Sequence, residues 1–171
     1  VTGSLCRSSF IIILDPLDAN DSVEIDAVTF TASIAGNGTT PNLLPPGDME
    51  DLDVLLNGDF ETGSASSWTT SSGFTTTVLG DASTAEPLGT TAVKVYNTKT
   101  SGGPYNDVGL YQNLSWAPIA GANYTLSAWV KSPDTTTGRI GLWIDQKGTA
   151  SGCPSQTTVS QYQVFNVTTS W

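Results

Sequence analysis

Read for its apolar positions, the chain breaks into strand-length pieces separated by Gly, Pro, Asn and Ser, and the 3.6-residue period of an amphipathic helix is absent. Alternation is clearest in three stretches: Val108, Leu110, Gln112, Leu114; Tyr124, Leu126, Ala128, Val130; and Ile140, Leu142, Ile144. In each the even positions are predicted to face a core, which turns Tyr111, Asn113, Asn123, Trp129, Arg139, Trp143 and Asp145 outward. Gln112 falls on the inward side, where a buried amide needs hydrogen-bond partners. Two more strands precede these, Ser9 to Leu14 and Ser22 to Phe30, joined by a turn around Asp15-Pro16-Leu17-Asp18-Ala19-Asn20-Asp21. The second changes phase, from Val23 and Ile25 on odd positions to Val28 and Phe30 on even ones. A period of two cannot do that without a bulge or kink at Asp26-Ala27. Two such apolar strands are marginal alone in water, so they must pack against something else.

These patterns predict an all-β protein, an antiparallel β-sandwich of jelly-roll type, in three parts. Residues 1–31 are a two-strand segment that completes a sandwich, its own or a neighbour's. Residues 32–53, with paired prolines and many Gly, Asn and Thr, have a linker's composition. Residues 54–171 are the sandwich proper, and Val54-Leu55-Leu56-Asn57-Gly58-Asp59-Phe60-Glu61-Thr62-Gly63 reads as its first strand. A hairpin of 124–131 with 139–146, turning through Ser132 to Gly138, would set Trp129 and Trp143 side by side on one outer face. That pair reads either as a covered aromatic contact, packed under the Lys131 and Arg139 stems, or as a platform for sugar rings or another protein.

Composition narrows the function classes. Sixteen acidic against six basic residues give a net charge of −10, which disfavours nucleic acid and anionic membranes as partners. The chain has no histidine, so histidine-based triads, His-containing zinc sites and His acid–base pairs are excluded. The apolar run at Phe10 to Leu14 is too short to span a bilayer. Val1 reads as the start of a chain that is processed, excised or internal to a longer polypeptide. Five Asn-x-Ser/Thr sequons, at Asn20, Asn37, Asn113, Asn123 and Asn166, point to an extracellular, N-glycosylated protein. Cys6 and Cys153 fit an oxidising compartment, as a disulfide within the chain or between chains, with two unpaired thiols as the alternative.

A resemblance runs along residues 54–171. The ordered motifs LLNGDFETG followed by Trp68, Thr91-Ala92-Val93-Lys94-Val95, Val108 to Leu114 and Gly121 to Lys131 make this part similar to the family 4/9-type (CenC-like) carbohydrate-binding modules. In that family the chain continues past a tryptophan like Trp171 into two final strands, the last with an Ile-Asp-x-Val signature. Here residues 4–31 look like those strands, displaced to the N-terminus. The resemblance implies a non-catalytic sandwich, a structural role for Gln112, and a structural calcium held near Glu61 and Asp26, with Asp59 as a further candidate and Glu86 a weaker one. None of the carboxylates sits in a motif that marks a catalytic acid or nucleophile. Aromatic and amide groups suited to a sugar are Trp129, Trp143, Tyr105, Tyr111 and Gln146, with Asp145 beside them.

Two functions follow as expectations. The first is a repeat unit of an extracellular glycosylated fibre or surface assembly, joined head-to-tail to copies of itself by strand complementation or tandem connection. The second is a module that binds a cell-wall polysaccharide.

Overall fold

In a computed structural model, which describes residues 8–16, 18–34, 55–80, 89–99, 109–114, 122–133, 138–148 and 159–171, the alternating segments form nine strands. These are β1 (Ser8–Pro16), β2 (Ser22–Ile34), β3 (Thr69–Thr70), β4 (Phe74–Gly80), β5 (Thr91–Asn97), β6 (Leu110–Leu114), β7 (Ala122–Lys131), β8 (Gly138–Gly148) and β9 (Val159–Val167). They make two antiparallel sheets, one of five strands in the order β3-β6-β1-β8-β9 and one of four in the order β4-β5-β2-β7, packed as a β-sandwich. Burial follows the predicted parity. In β6, Leu110, Gln112 and Leu114 are buried while Tyr111 is half-buried and Asn113 exposed. Along β7, half-buried Tyr124, Leu126, Ala128 and Val130 alternate with exposed Asn123, Thr125, Ser127 and Trp129.

The two N-terminal strands do not pair with each other. β1 lies between β6 and β8 in the middle of the five-stranded sheet, and β2 lies between β5 and β7 in the middle of the other. The turn between them crosses from one sheet to the other; Asn20, at φ 61°, donates its N–H to Asn97 O, and the Asp21 carboxylate accepts the Ser22 N–H. Ile12, Leu14, Val23, Ile25, Val28 and Phe30 contribute six of the sixteen buried members of the core cluster among the described residues. At roughly 1.5–3 kcal/mol for each buried aliphatic or aromatic side chain, these strands bring about as much apolar stabilisation as a whole domain's net stability of about 5–15 kcal/mol. They are the centre of the fold rather than an appendage to it.

The phase break is a bulge, as the alternation requires. Against β7 the register steps from Asp26↔Trp129 to Thr29↔Ser127, one residue extra on β2, and Ala27 takes φ 47°. Asp26, fully buried, accepts the Ala27 N–H at 2.6 Å. On its other side β2 pairs with β5 only as far as Ile25↔Val93. Beyond that the loop starting at Leu55 takes over: Val28 donates its N–H to Gly58 O at 2.8 Å.

Three expectations change here. Residues 55–63 are not a strand but turns, because Asn57 and Phe60 adopt φ 54° and 57°, which no extended strand tolerates. The loop docks through side chains instead: Gln112 accepts the Leu56 N–H and donates to Leu56 O and Ser67 O, while Trp68 donates its indole N–H to Asn57 O. Leu55, Phe60 and Trp68 fill the end of the core beneath it. The proposed 124–131 and 139–146 hairpin does not form; β7 belongs to the four-stranded sheet and β8 to the five-stranded one. Finally, β2 runs on to Ile34, so the first three residues assigned to the linker are strand, and the rest of it lies outside the described residues.

Gly58 has no room for a side chain, since a Cβ there would lie 2.1 Å from Val28 O. Gly58→Ala is expected to push the loop off β2 and to cost on the order of 1–3 kcal/mol, the usual range for overpacking, read as a lower midpoint of urea unfolding with an unchanged slope.

Candidate functional site

Backbone register sets one row of side chains across the outer face of the five-stranded sheet. Thr69 pairs with Tyr111, Tyr111 with Ile13, Ile13 with Trp143, and Trp143 with Tyr162. Period-two geometry puts these on the side opposite Ile12 and Leu14, which face the core. Trp143 and Tyr162 are half-buried and tilted against each other, with centroids 5.1 Å apart at 59°. The row is flanked at Gly141, where an added Cβ would meet the Tyr162 ring at 2.6 Å, so the phenol lies across bare backbone. Ile13 in the middle is only 3% exposed. At one end of the same face Arg139 pairs with Asp18 at 2.6 Å, which raises its pKa.

Trp129 is elsewhere. Because β7 and β8 are in different sheets, Trp129 and Trp143 are on opposite outer faces, and the side-by-side indole pair is corrected to two separate aromatics. Trp129 is 50% exposed and stands in register with Asp26 at the bulge. Beside it runs a charged row, Lys94↔Glu24↔Lys131. Lys131 and Glu24 are both buried and 3.0 Å apart, and the Lys131 ammonium sits 4.6 Å from the Trp171 ring centre. A buried ion pair held by an aromatic ring on one side makes this face a structural seam.

The carboxylates named as calcium candidates are engaged with N–H donors. Glu61 accepts the N–H groups of Thr90 and Thr91 at 2.8 Å each and the Thr90 hydroxyl at 3.2 Å, which ties the loop to the start of β5. These bonds, led by that from Thr90, hold the Glu61 carboxyl below its ordinary pKa. Gly89, at φ 94°, lies against that carboxylate, where a Cβ would come within 2.3 Å. Asp59 accepts the Glu61 N–H at 3.3 Å, and Asp26 turns to Ala27. Among the described residues no group of three or more His, Cys, Asp or Glu converges.

Of the sequon asparagines, Asn113, Asn123 and Asn166 are exposed on β6, β7 and β9, and Asn20 is exposed in the turn before β2. Asn113 shares its strand face with Tyr111, so a glycan there would stand at the end of the aromatic row. Asn37, Tyr105, Glu86, Cys6 and Cys153 lie outside the described residues, as do the side chains of Asp145 and Gln146. Tyr162 was not among the sequence candidates. Its signal was the outward parity of a strand that pairs with β8, visible only once that pairing is known. No family model, no curated protein and no solved structure matches this chain.

Because the folded-state pKa of Glu61 is lowered, its contribution to stability is present above the ordinary value of 4.5 and is lost as pH falls through the lowered one. Glu61→Gln, which keeps one acceptor but no charge, should lower Tm at neutral pH. The gap from wild type, followed by circular dichroism, should narrow as the pH falls below 4.5 and Glu61 takes up its proton.

Proposed function

We propose that the chain is a non-catalytic structural repeat unit of an extracellular, N-glycosylated assembly, joined to copies of itself head-to-tail through its N-terminal strands. One observation carries this reading: among the described residues every ladder partner of β1 and β2 lies in residues 91–148, and none lies within residues 8–34. Such a pair of strands makes the same bonds whether the acceptor sandwich is its own or a neighbour's. Residues 35–54 that connect it to the acceptor could reach on the order of 60 Å at ~3.3 Å per residue, enough to serve either. When each copy gives its strands to the next instead of exchanging them reciprocally, the contact is heterologous, and repetition extends a fibre. The exposed sequons on β6, β7 and β9 support a glycan-covered exterior.

A second reading, polysaccharide binding, is favoured by Tyr111, Trp143 and Tyr162, three half-buried aromatics in one register row on one outer face. Under it, Trp143→Ala removes affinity-gel retardation on β-glucan, xylan or mannan, whereas Trp129→Ala leaves it intact.

Negative-stain images of native material, with the intact mass of the same sample under denaturing conditions, test the first reading. Filaments whose denatured mass is that of one glycosylated unit are the expected result. A monodisperse monomer at micromolar concentration overturns it, and filaments with a mass of many units replace exchange by tandem connection.

A further inference from the structure

The geometry points to a second contact between copies, in which the β7 edge of one sandwich pairs with the β4 edge of another and continues the four-stranded sheet from molecule to molecule. Among the described residues β7 and β4 each have a single ladder partner, β2 and β5. They are long for edges, ten and seven residues, and residues 122–130 and 74–80 contain no Pro and no charge, the usual means by which an edge is blunted; the Asn123 sequon on β7 stands on the outer face of the sheet and leaves the edge groups of the strand open.

Strand direction favours this partner. All neighbours in the four-stranded sheet are antiparallel, and the number of strands is even. A copy shifted sideways without rotation therefore presents β4 antiparallel to β7. The five-stranded sheet, with an odd number, would bring β9 parallel to β3, and β3 is only two residues long. Each sandwich thus offers one long donor edge and one long acceptor edge on opposite sides of the same sheet.

Charge selects a second copy as the occupant. Two chains of net charge −10 repel over most of their surface, and they can approach closely only where charge is absent. Residues 62–80, which contain β3 and β4, and residues 108–130, which contain β6 and all of β7 but Lys131, hold no Asp, Glu, Lys or Arg. Beside β7 lies a groove of about 130 Å³ of mixed character, lined by Leu126, Leu142, Ile144 and Phe165, the last 43% exposed, together with Gln161, Tyr162 and Gln163. An incoming β4 would bring Phe74, Thr76 and Val78 along the inner side of the sheet toward that groove.

This contact is independent of strand exchange, which sets length, whereas edge pairing sets width. The test uses Ser127→Glu on β7 and Thr75→Glu on β4 in the full chain, both at exposed outer positions. Wild type is expected to associate sideways, into bundles if it forms filaments and into sideways oligomers if it does not. Each variant alone is expected to lose this while staying folded and keeping wild-type filament length, although Ser127→Glu also gives up the hydrogen bond between the Thr29 and Ser127 hydroxyls. A one-to-one mixture should give pairs and nothing wider, because only the intact β7 of one variant and the intact β4 of the other remain. Wild-type material that never associates sideways overturns the inference. So does a single variant that still does, or a mixture that forms no pairs. None of these outcomes touches the head-to-tail reading, which is judged by filament length and denatured mass.

Discussion

The fold depends on a change of partner in the middle of β2. Up to Ile25 the strand has β5 on one side and β7 on the other; from Val28 onward the β5 side is gone, and a buried N–H must find another acceptor. Gly58 O supplies it. The bulge at Asp26-Ala27 makes the exchange possible, because the extra residue returns Val28 and Phe30 to the core after Val23 and Ile25 have used the opposite parity. The loop that carries Gly58 is held in turn by Gln112, and its carboxylate at Glu61 holds the first residues of β5. One missing strand partner thus accounts for a buried aspartate, a residue at positive φ, a glycine without room for Cβ and a glutamine in the core.

The two outer faces have different chemistry. The five-stranded face carries an aromatic row with Gly141 beside it, so the Tyr162 ring lies against bare backbone with Trp143 tilted onto it. The four-stranded face carries Lys94, Glu24 and Lys131 in one row, closed over by Trp171. The first is aromatic and free of charge along its register row, while the second buries an ion pair between Lys131 and Glu24.

Much of the fold was legible in the sequence because it rests on a period of two: the inward positions of β6, β7 and β8, the inward glutamine and the bulge at Asp26-Ala27 all follow from alternation. What alternation does not contain is which strand lies beside which. Trp129 and Trp143 had the right parity and the wrong neighbours, since β7 and β8 are consecutive in the chain yet belong to different sheets. The Leu55 to Gly63 stretch misled for a different reason. Its apolar residues are buried, as in a strand, but they are placed by turns at Asn57 and Phe60, and their bonds run to the side chain of Gln112 instead of to a neighbouring strand. The row that ends at Tyr162 was illegible for the same cause as the indole error, because it is a property of register between β1, β6, β8 and β9.

The central placement of β1 and β2 has a mechanical meaning. β1 is bonded along both edges by antiparallel neighbours, and β2 along its β7 edge throughout with β5 on the other side as far as Ile25, so a pull along the strand axis acts across the ladders lengthwise, and the bonds share the load instead of opening one after another as they would at a peeled edge. Because the two strands run through different sheets, tension that passes β1 meets a second ladder system at β2 across the same core. A sandwich built this way resists tension applied through its N-terminal segment most strongly along the strand direction.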